Sequence, residues 1–128
     1  MNRAVVTGGA GFIGSHFAQF ITAHHLADKV ILADIAPPKA TFNFDNNLVK
    51  YIKLDVRQPI DNPNLSQPPN LIINLAAIHR EPGHEPYEYF ETNLLGAKYV
   101  CDWADKIGCN HIIFTSSIAP YGPTESIK

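Results

Sequence analysis

Short, continuously apolar runs alternate along this chain with longer segments of helical period. Ala4, Val5 and Val6 form a run that closes on Thr7 and Gly8, which predicts a strand over residues 4–7 leading into a glycine turn. Beyond the turn, Ile13, Phe17, Phe20, Ile21 and His24 recur at helical spacing along one face. A second run over 30–33 ends at Asp34, and Pro37 with Pro38 forbids regular continuation. The Pro-, Asn- and Phe-rich stretch to about residue 47 reads as a loop. Further strands are predicted over 48–54, ending at Asp55 and Val56, and over 71–75, with at most a short helical turn between them. Pro86 suits the first turn of a helix whose apolar positions Phe90, Leu94, Ala97, Cys101 and Ala104 advance by three or four until Gly108 stops it. A fifth strand follows over 112–115.

Strands apolar at every position need cover on both faces, and intervening helices supply it, so the fold class is α/β with a doubly wound parallel sheet. With 128 residues the chain suffices for one domain with a core. Two βαβ halves normally give about six strands. Here the fifth is followed by Tyr121, Gly122 and Pro123, which read as a loop leading onward, so the expectation is a sheet truncated after about five strands. Acidic and basic residues are mixed along the chain and the formal net charge is −2, which gives no electrostatic reason to expect a nucleic acid or membrane partner. The apolar runs stop well short of a membrane span, and the stretch after Met1 is too short for a signal-peptide core. The two cysteines, Cys101 and Cys109, read as one helix-packing thiol and one turn thiol in a reducing cytoplasm, not as a disulfide.

The candidate chemistry begins at the first turn. Residues 7–14 read Thr-Gly-Gly-Ala-Gly-Phe-Ile-Gly, with GxGxxG at Gly9, Gly11 and Gly14 and GxxGxxG at Gly8, Gly11 and Gly14. Glycines here permit a tight turn, let backbone amides approach a pyrophosphate without a Cβ in the way, and let the helix pack closely. The phosphates would rest against the amides of Phe12 and Ile13, at the positive end of the helix dipole. The motif alone is weak. It gains weight because it follows the first strand, opens a helix, and is answered about twenty residues after Gly14 by Asp34 at the end of the second strand. A carboxylate there accepts bonds from the adenosine ribose and repels a 2′-phosphate. No arginine follows it, so NAD is favoured over NADP; Lys39 is the nearby cation that bears on this choice. The arrangement is that of a Rossmann dinucleotide-binding domain.

Four segments carry a further likeness: residues 7–14, Leu54-Asp55-Val56-Arg57, Asn74-Leu75-Ala76-Ala77, and Phe114-Thr115-Ser116-Ser117 leading to Tyr121-Gly122. In this order the chain resembles the extended short-chain dehydrogenase/reductase family, in particular its nucleotide-sugar epimerases and dehydratases. That resemblance implies that Asp55 accepts from the adenine amino group and Val56 packs on the ring; a strand-end aspartate capping a turn is the competing reading. It implies that Leu75, Ala76 and Ala77 run along the nicotinamide side, where small residues also serve simple close packing. Asn93 matches a helix asparagine that steadies the active-site backbone, with an ordinary exposed Asn as the alternative. Ser117 matches the catalytic Ser or Thr whose hydroxyl binds the reacting substrate oxygen; Ser116 and a structural hydroxyl are the alternatives.

The family also uses a tyrosine with a lysine four residues on, the ammonium lowering the phenol pKa. None of Tyr51, Tyr87, Tyr89, Tyr99 and Tyr121 has that lysine, so the dyad and the substrate domain are expected beyond residue 128, and residues 1–128 alone are expected to be inactive. His79, Arg80, Glu81, His84 and Glu85 bunch after the fourth strand, where a solvated substrate-side loop is a better reading than a metal site. The resemblance implies an NAD-dependent nucleotide-sugar epimerase or dehydratase that dimerises through the 86–107 helix. A reductase or dehydrogenase of the same fold and a non-catalytic NAD-binding module are the other two readings.

Overall fold

The computed structural model describes residues 3–77 and 85–115, apart from the Tyr89 side chain. Five strands, β1 (Arg3–Thr7), β2 (Lys29–Asp34), β3 (Val49–Lys53), β4 (Leu71–Asn74) and β5 (Ile112–Phe114), form one sheet in the order β3-β2-β1-β4-β5. Every pairing is parallel, with Val5 opposite Ile31 on one side and Ile72 on the other. The chain passes from β1 to β2 through helix α1 (Phe12–Ala23) and reaches β3 by a loop. It then crosses back over β1 to β4, with a 3₁₀ turn at Pro63–Leu65 on the way. The direction of winding therefore reverses between β1 and β4, and in open α/β sheets ligands bind at the carboxyl ends of the strands flanking such a reversal.

Because side chains alternate across a strand, neighbouring apolar residues enter different cores. Val5, Ile31 and Ile72 join Val56, Val100 and Trp103 on one face, while Val6, Leu32 and Ile73 join Ala18, Ile21 and Val30 on the other. Each fully buried Val, Leu or Ile stabilises the fold by about 1.5–3 kcal/mol, so both covers are needed to hold the sheet.

The helical segment after β4 departs from the regular spacing expected of it. It runs as α2 (Pro86–Tyr89), a π-helical turn at Phe90–Leu95, and α3 (Gly96–Ile107). Pro86 occupies the first turn as predicted, and Gly108 caps the end at φ 77°, a left-handed conformation that an L side chain disfavours. The buried face, however, is Gly96, Val100, Trp103 and Ala104, whereas Phe90, Leu94 and Cys101 are exposed. The helix carries two apolar stripes, and the one with glycine and tryptophan meets the sheet. In α1 the buried residues are Gly14, Ser15, Ala18 and Ile21 while Ile13, Phe20 and His24 lie outside, because close approach to the turn and sheet selects small side chains. Both cysteines are free; Cys109 is buried as a turn thiol, but Cys101 faces outward instead of packing the helix.

Candidate functional site

The four strand ends that meet at the winding reversal open into one crevice of about 400 Å³, within the range of small-ligand sites. Its floor is backbone. Gly8 leaves β1 at φ 68°, its N–H donating to Ala33 O at 2.8 Å, and a Cβ there would stand 2.5 Å from the amide nitrogen of Ala76. The exits of β1 and β4 thus touch main chain to main chain. They are tied further by Leu75 N–H donating to Thr7 O at 2.8 Å, and by the buried Thr7 hydroxyl donating to Asn74 Oδ1, which also accepts from Ala76 N–H at 3.3 Å.

Gly14 serves a related purpose, since a Cβ on it would collide with the backbone of Gly9; the helix sits directly on the turn. Gly11 differs. A Cβ there would meet only Gly8 O, at an ordinary 3.6 Å, and its φ of −74° suits any residue. Protein packing does not require glycine at this crevice-lining position, where the missing side chain leaves bare backbone on the floor. Gly11 also caps α1 without a side-chain acceptor of its own. Phe12 and Ile13, which open α1, are 75% and 61% exposed and do not line the crevice.

Asp34 lines the crevice one strand over and connects the two halves of the site. Its Oδ2 accepts from Ala10 N–H at 3.0 Å and its Oδ1 from Ile35 N–H at 2.7 Å. Each carboxylate oxygen has two lone pairs, so both retain capacity for a further donor while the side chain already shapes the glycine turn. The backbone O of Asp34 accepts from Leu54 N–H at 2.9 Å and from the Tyr51 hydroxyl at 3.1 Å, which fixes the strand end.

At the exit of β3, Asp55, Val56 and Arg57 form the next wall. Arg57 forks onto Asp55, Nη2 donating to Oδ2 at 2.8 Å and Nε to Oδ1 at 2.9 Å, while Arg57 N–H donates to Oδ1 at 3.0 Å. The turn-capping reading of Asp55 and its crevice position are thus true together. Hydrogen bonding from the Arg57 side chain, outweighing partial burial, holds the Asp55 carboxyl below its ordinary 3.8. A carboxyl depressed in the folded state gives stability that is present above its ordinary pKa and lost as pH falls through the depressed one. We expect Arg57→Gln to raise the Asp55 pKa, so that the loss begins at a higher pH; an NMR titration of the Asp55 carboxyl carbon in both proteins checks this, and an unmoved midpoint would refute the role of the fork.

Leu75, Ala76 and Ala77 complete the crevice beyond β4, and Glu88 and Thr92 on the helix face them. Gly8, Gly11, Asp34, Asp55, Val56 and the 75–77 segment are therefore brought together. Gly14 acts beneath the site, and Asn93 lies half-buried in the π-helical turn beside crevice-lining Thr92. Ser117, Ser116, Tyr121 and residues 78–84 lie outside the described residues. Sequence reasoning missed Arg57, Thr7 and Asn74, although all three stand inside the quoted motifs; opposite charges two apart and a polar residue within an apolar strand were the available signals. Among the described residues no three His, Cys, Asp or Glu side chains group to hold a metal, and no helix is long and apolar enough to cross a membrane.

Known proteins resemble this chain in sequence and fold. UDP-glucose 4-epimerase of Rhizobium leguminosarum bv. trifolii is 29% identical over 133 residues, spanning 96% of this chain and 38% of that one. D-Erythronate dehydrogenase of Haemophilus influenzae is 31% identical over 127 residues, spanning 94% and 39%. A crystal structure of UDP-galactose 4-epimerase superposes with a TM-score of 0.79 at 26% identity, covering 98% of this chain and 41% of that one. The chain thus spans less than half the length of these relatives. The family model of the NAD-dependent epimerases and dehydratases matches residues 4–128, a span that takes in the glycine turn, Asp34, the Asp55–Arg57 fork and the β4 exit. With that match, and a bare-backbone crevice that fits the family's cofactor NAD, the chain belongs to the NAD-dependent epimerase/dehydratase family.

Proposed function

We propose that this chain is the cofactor-holding part of a longer, cytoplasmic NAD-dependent epimerase or dehydratase acting on a nucleotide sugar. The observation that carries the reading is the backbone floor at Gly8 and Gly11 with Asp34 beside it, a shape that suits a diphosphate and its attached ribose. In this reading Gly11 and the amides of Phe12 and Ile13 receive the diphosphate, Asp34 accepts from the ribose hydroxyls, and Asp55 with Val56 holds the adenine. Leu75, Ala76 and Ala77 keep the backbone low where the cofactor crosses to the substrate side. NAD supplies reversible uptake of a hydride, and the protein's share is position, electrostatics and exclusion of water. Ser117 binds the reacting substrate oxygen, and the Tyr-x-x-x-Lys pair that moves its proton lies with the substrate domain outside residues 1–128.

The test is a panel of nucleotide sugars given to the full-length protein, with bound cofactor assayed after purification. Turnover of a nucleotide sugar without net change in NAD, with cofactor retained, is the expected result. Stoichiometric reduction of added NAD instead establishes the dehydrogenase reading, which the likeness to D-erythronate dehydrogenase favours. Binding without turnover of any substrate leaves a non-catalytic NAD-binding module.

The exposed stripe of the 86–107 helix supports a homodimer. Tyr87, Phe90 and Leu94 present large apolar side chains to solvent along it, followed by Cys101, and contiguous apolar surface of this kind marks interfaces. Leu94→Glu is expected to weaken dimerisation at least about ten-fold by placing a charge in the contact. Sedimentation equilibrium checks it, and an unchanged dimer fraction refutes this face as the interface.

A further inference from the structure

Gly96 opens α3 directly after the π-helical turn. Glu88, Thr92 and Gly96 stand at intervals of four; the first two line the crevice and the third is buried. A Cβ on Gly96 would lie 2.8 Å from Cγ2 and 3.4 Å from Cβ of Val56. Val56 is only 6% exposed, belongs to the core that contains Val100 and Trp103, and lines the crevice. Its branched side chain is stiff about χ1, and interiors at close-packed density have little room to receive a displaced methyl. The open direction for Val56 is therefore the crevice itself.

We propose that Gly96 is a specificity-determining residue of this site, and that its missing side chain lets Val56 lie back against the helix and so sets the width of the slot that receives the cofactor's adenine ring. The inference rests on the reading that Val56 packs on that ring. Glycine is among the poorest helix formers, so helix propensity alone predicts that Gly96→Ala stabilises the protein. Packing against Val56 predicts a different result. The added methyl pushes Val56 into the slot, and a flat purine no longer fits beside it.

The experiment titrates NAD into the full-length wild type, Gly96→Ala, Val56→Ala and the double variant, by calorimetry, with a thermal melt of each. Gly96→Ala is expected to weaken NAD binding roughly ten-fold or more, the usual scale of overpacking by one methyl. In the double variant, where the Val56 methyls are gone, affinity should return to within about three-fold of Val56→Ala alone. Gly96→Ala binding NAD as tightly as wild type overturns the proposal, as does a double variant that binds NAD roughly ten-fold or more weakly than Val56→Ala alone, since the effect of the added methyl would then not pass through Val56. Should Gly96→Ala fail to fold, the double variant decides: it must fold and bind as Val56→Ala does, and failure to do so is an overturning result. A wild type that does not bind NAD is a separate outcome, which overturns the cofactor reading on which the inference stands.

Discussion

A Gly8→Ala variant is expected to lose NAD binding entirely and to melt roughly 10 °C below the wild type, the shift that about 3 kcal/mol produces in a domain of this size. Two costs add at this residue. Its φ of 68° is a left-handed conformation, which costs a non-glycine residue on the order of 1–3 kcal/mol, and the new Cβ would also stand 2.5 Å from main chain at Ala76. Backbone cannot swing aside as a side chain can, so the β1 and β4 exits must separate and the floor of the crevice opens. Gly11→Ala is the informative control. Its Cβ has room within the protein at 3.6 Å, so its melting temperature should stay within about 2 °C of wild type while NAD affinity falls about ten-fold or more. Thermal melts and titrations of the two variants separate them. A Gly8→Ala protein that binds NAD normally, or a Gly11→Ala protein that does, removes the bare-backbone argument.

Asp34→Ala is expected to weaken NAD binding by about 100-fold, the scale of losing charge-assisted hydrogen bonds worth about 1.5–3 kcal/mol, without any gain for NADP. A carboxylate that acted on the ribose alone would predict relaxation toward NADP once its negative charge is gone. Here the same carboxylate holds Ala10 N–H at 3.0 Å, so removing it also loosens the turn on which either cofactor's diphosphate rests. Asp34→Asn keeps an acceptor for Ala10 and should recover part of the lost affinity. Paired titrations with NAD and NADP decide the matter, and an Asp34→Ala protein that binds NADP as tightly as wild type binds NAD would show that the turn does not depend on Asp34.

The sheet and the crevice were legible in the sequence because their signals are local. Ala4 to Gly8, residues 30–34 and residues 71–75 each combine an apolar run with a polar or glycine stop, and all became strands within a residue or so of the expected bounds. The helix faces were not legible. In α1 the large residues Ile13, Phe17, Phe20 and Ile21 share a helical spacing, yet Ile13 and Phe20 are exposed, and it is Gly14, Ser15 and Ala18 that join Ile21 on the buried face. Along 86–107 two apolar stripes coexist, and the π-helical turn shifts the register between them. No periodicity of a single chain says which stripe a sheet will take. Asp34 was recognisable from its place at a strand end, but its bond to Ala10 joins elements distant in sequence and appears only once β1 and β2 lie side by side.

The two margins of the sheet are chemically unlike. Outermost β3 carries exposed Lys50 and Lys53, and ammonium groups on a boundary strand discourage a stray chain from hydrogen-bonding there. At the opposite border β5 presents Ile112, Ile113 and Phe114, with Ile113 and Phe114 open to solvent and no charge among them. Among the described strands, pairing by a stray chain is therefore opposed by charge along β3 and meets no such charge along β5.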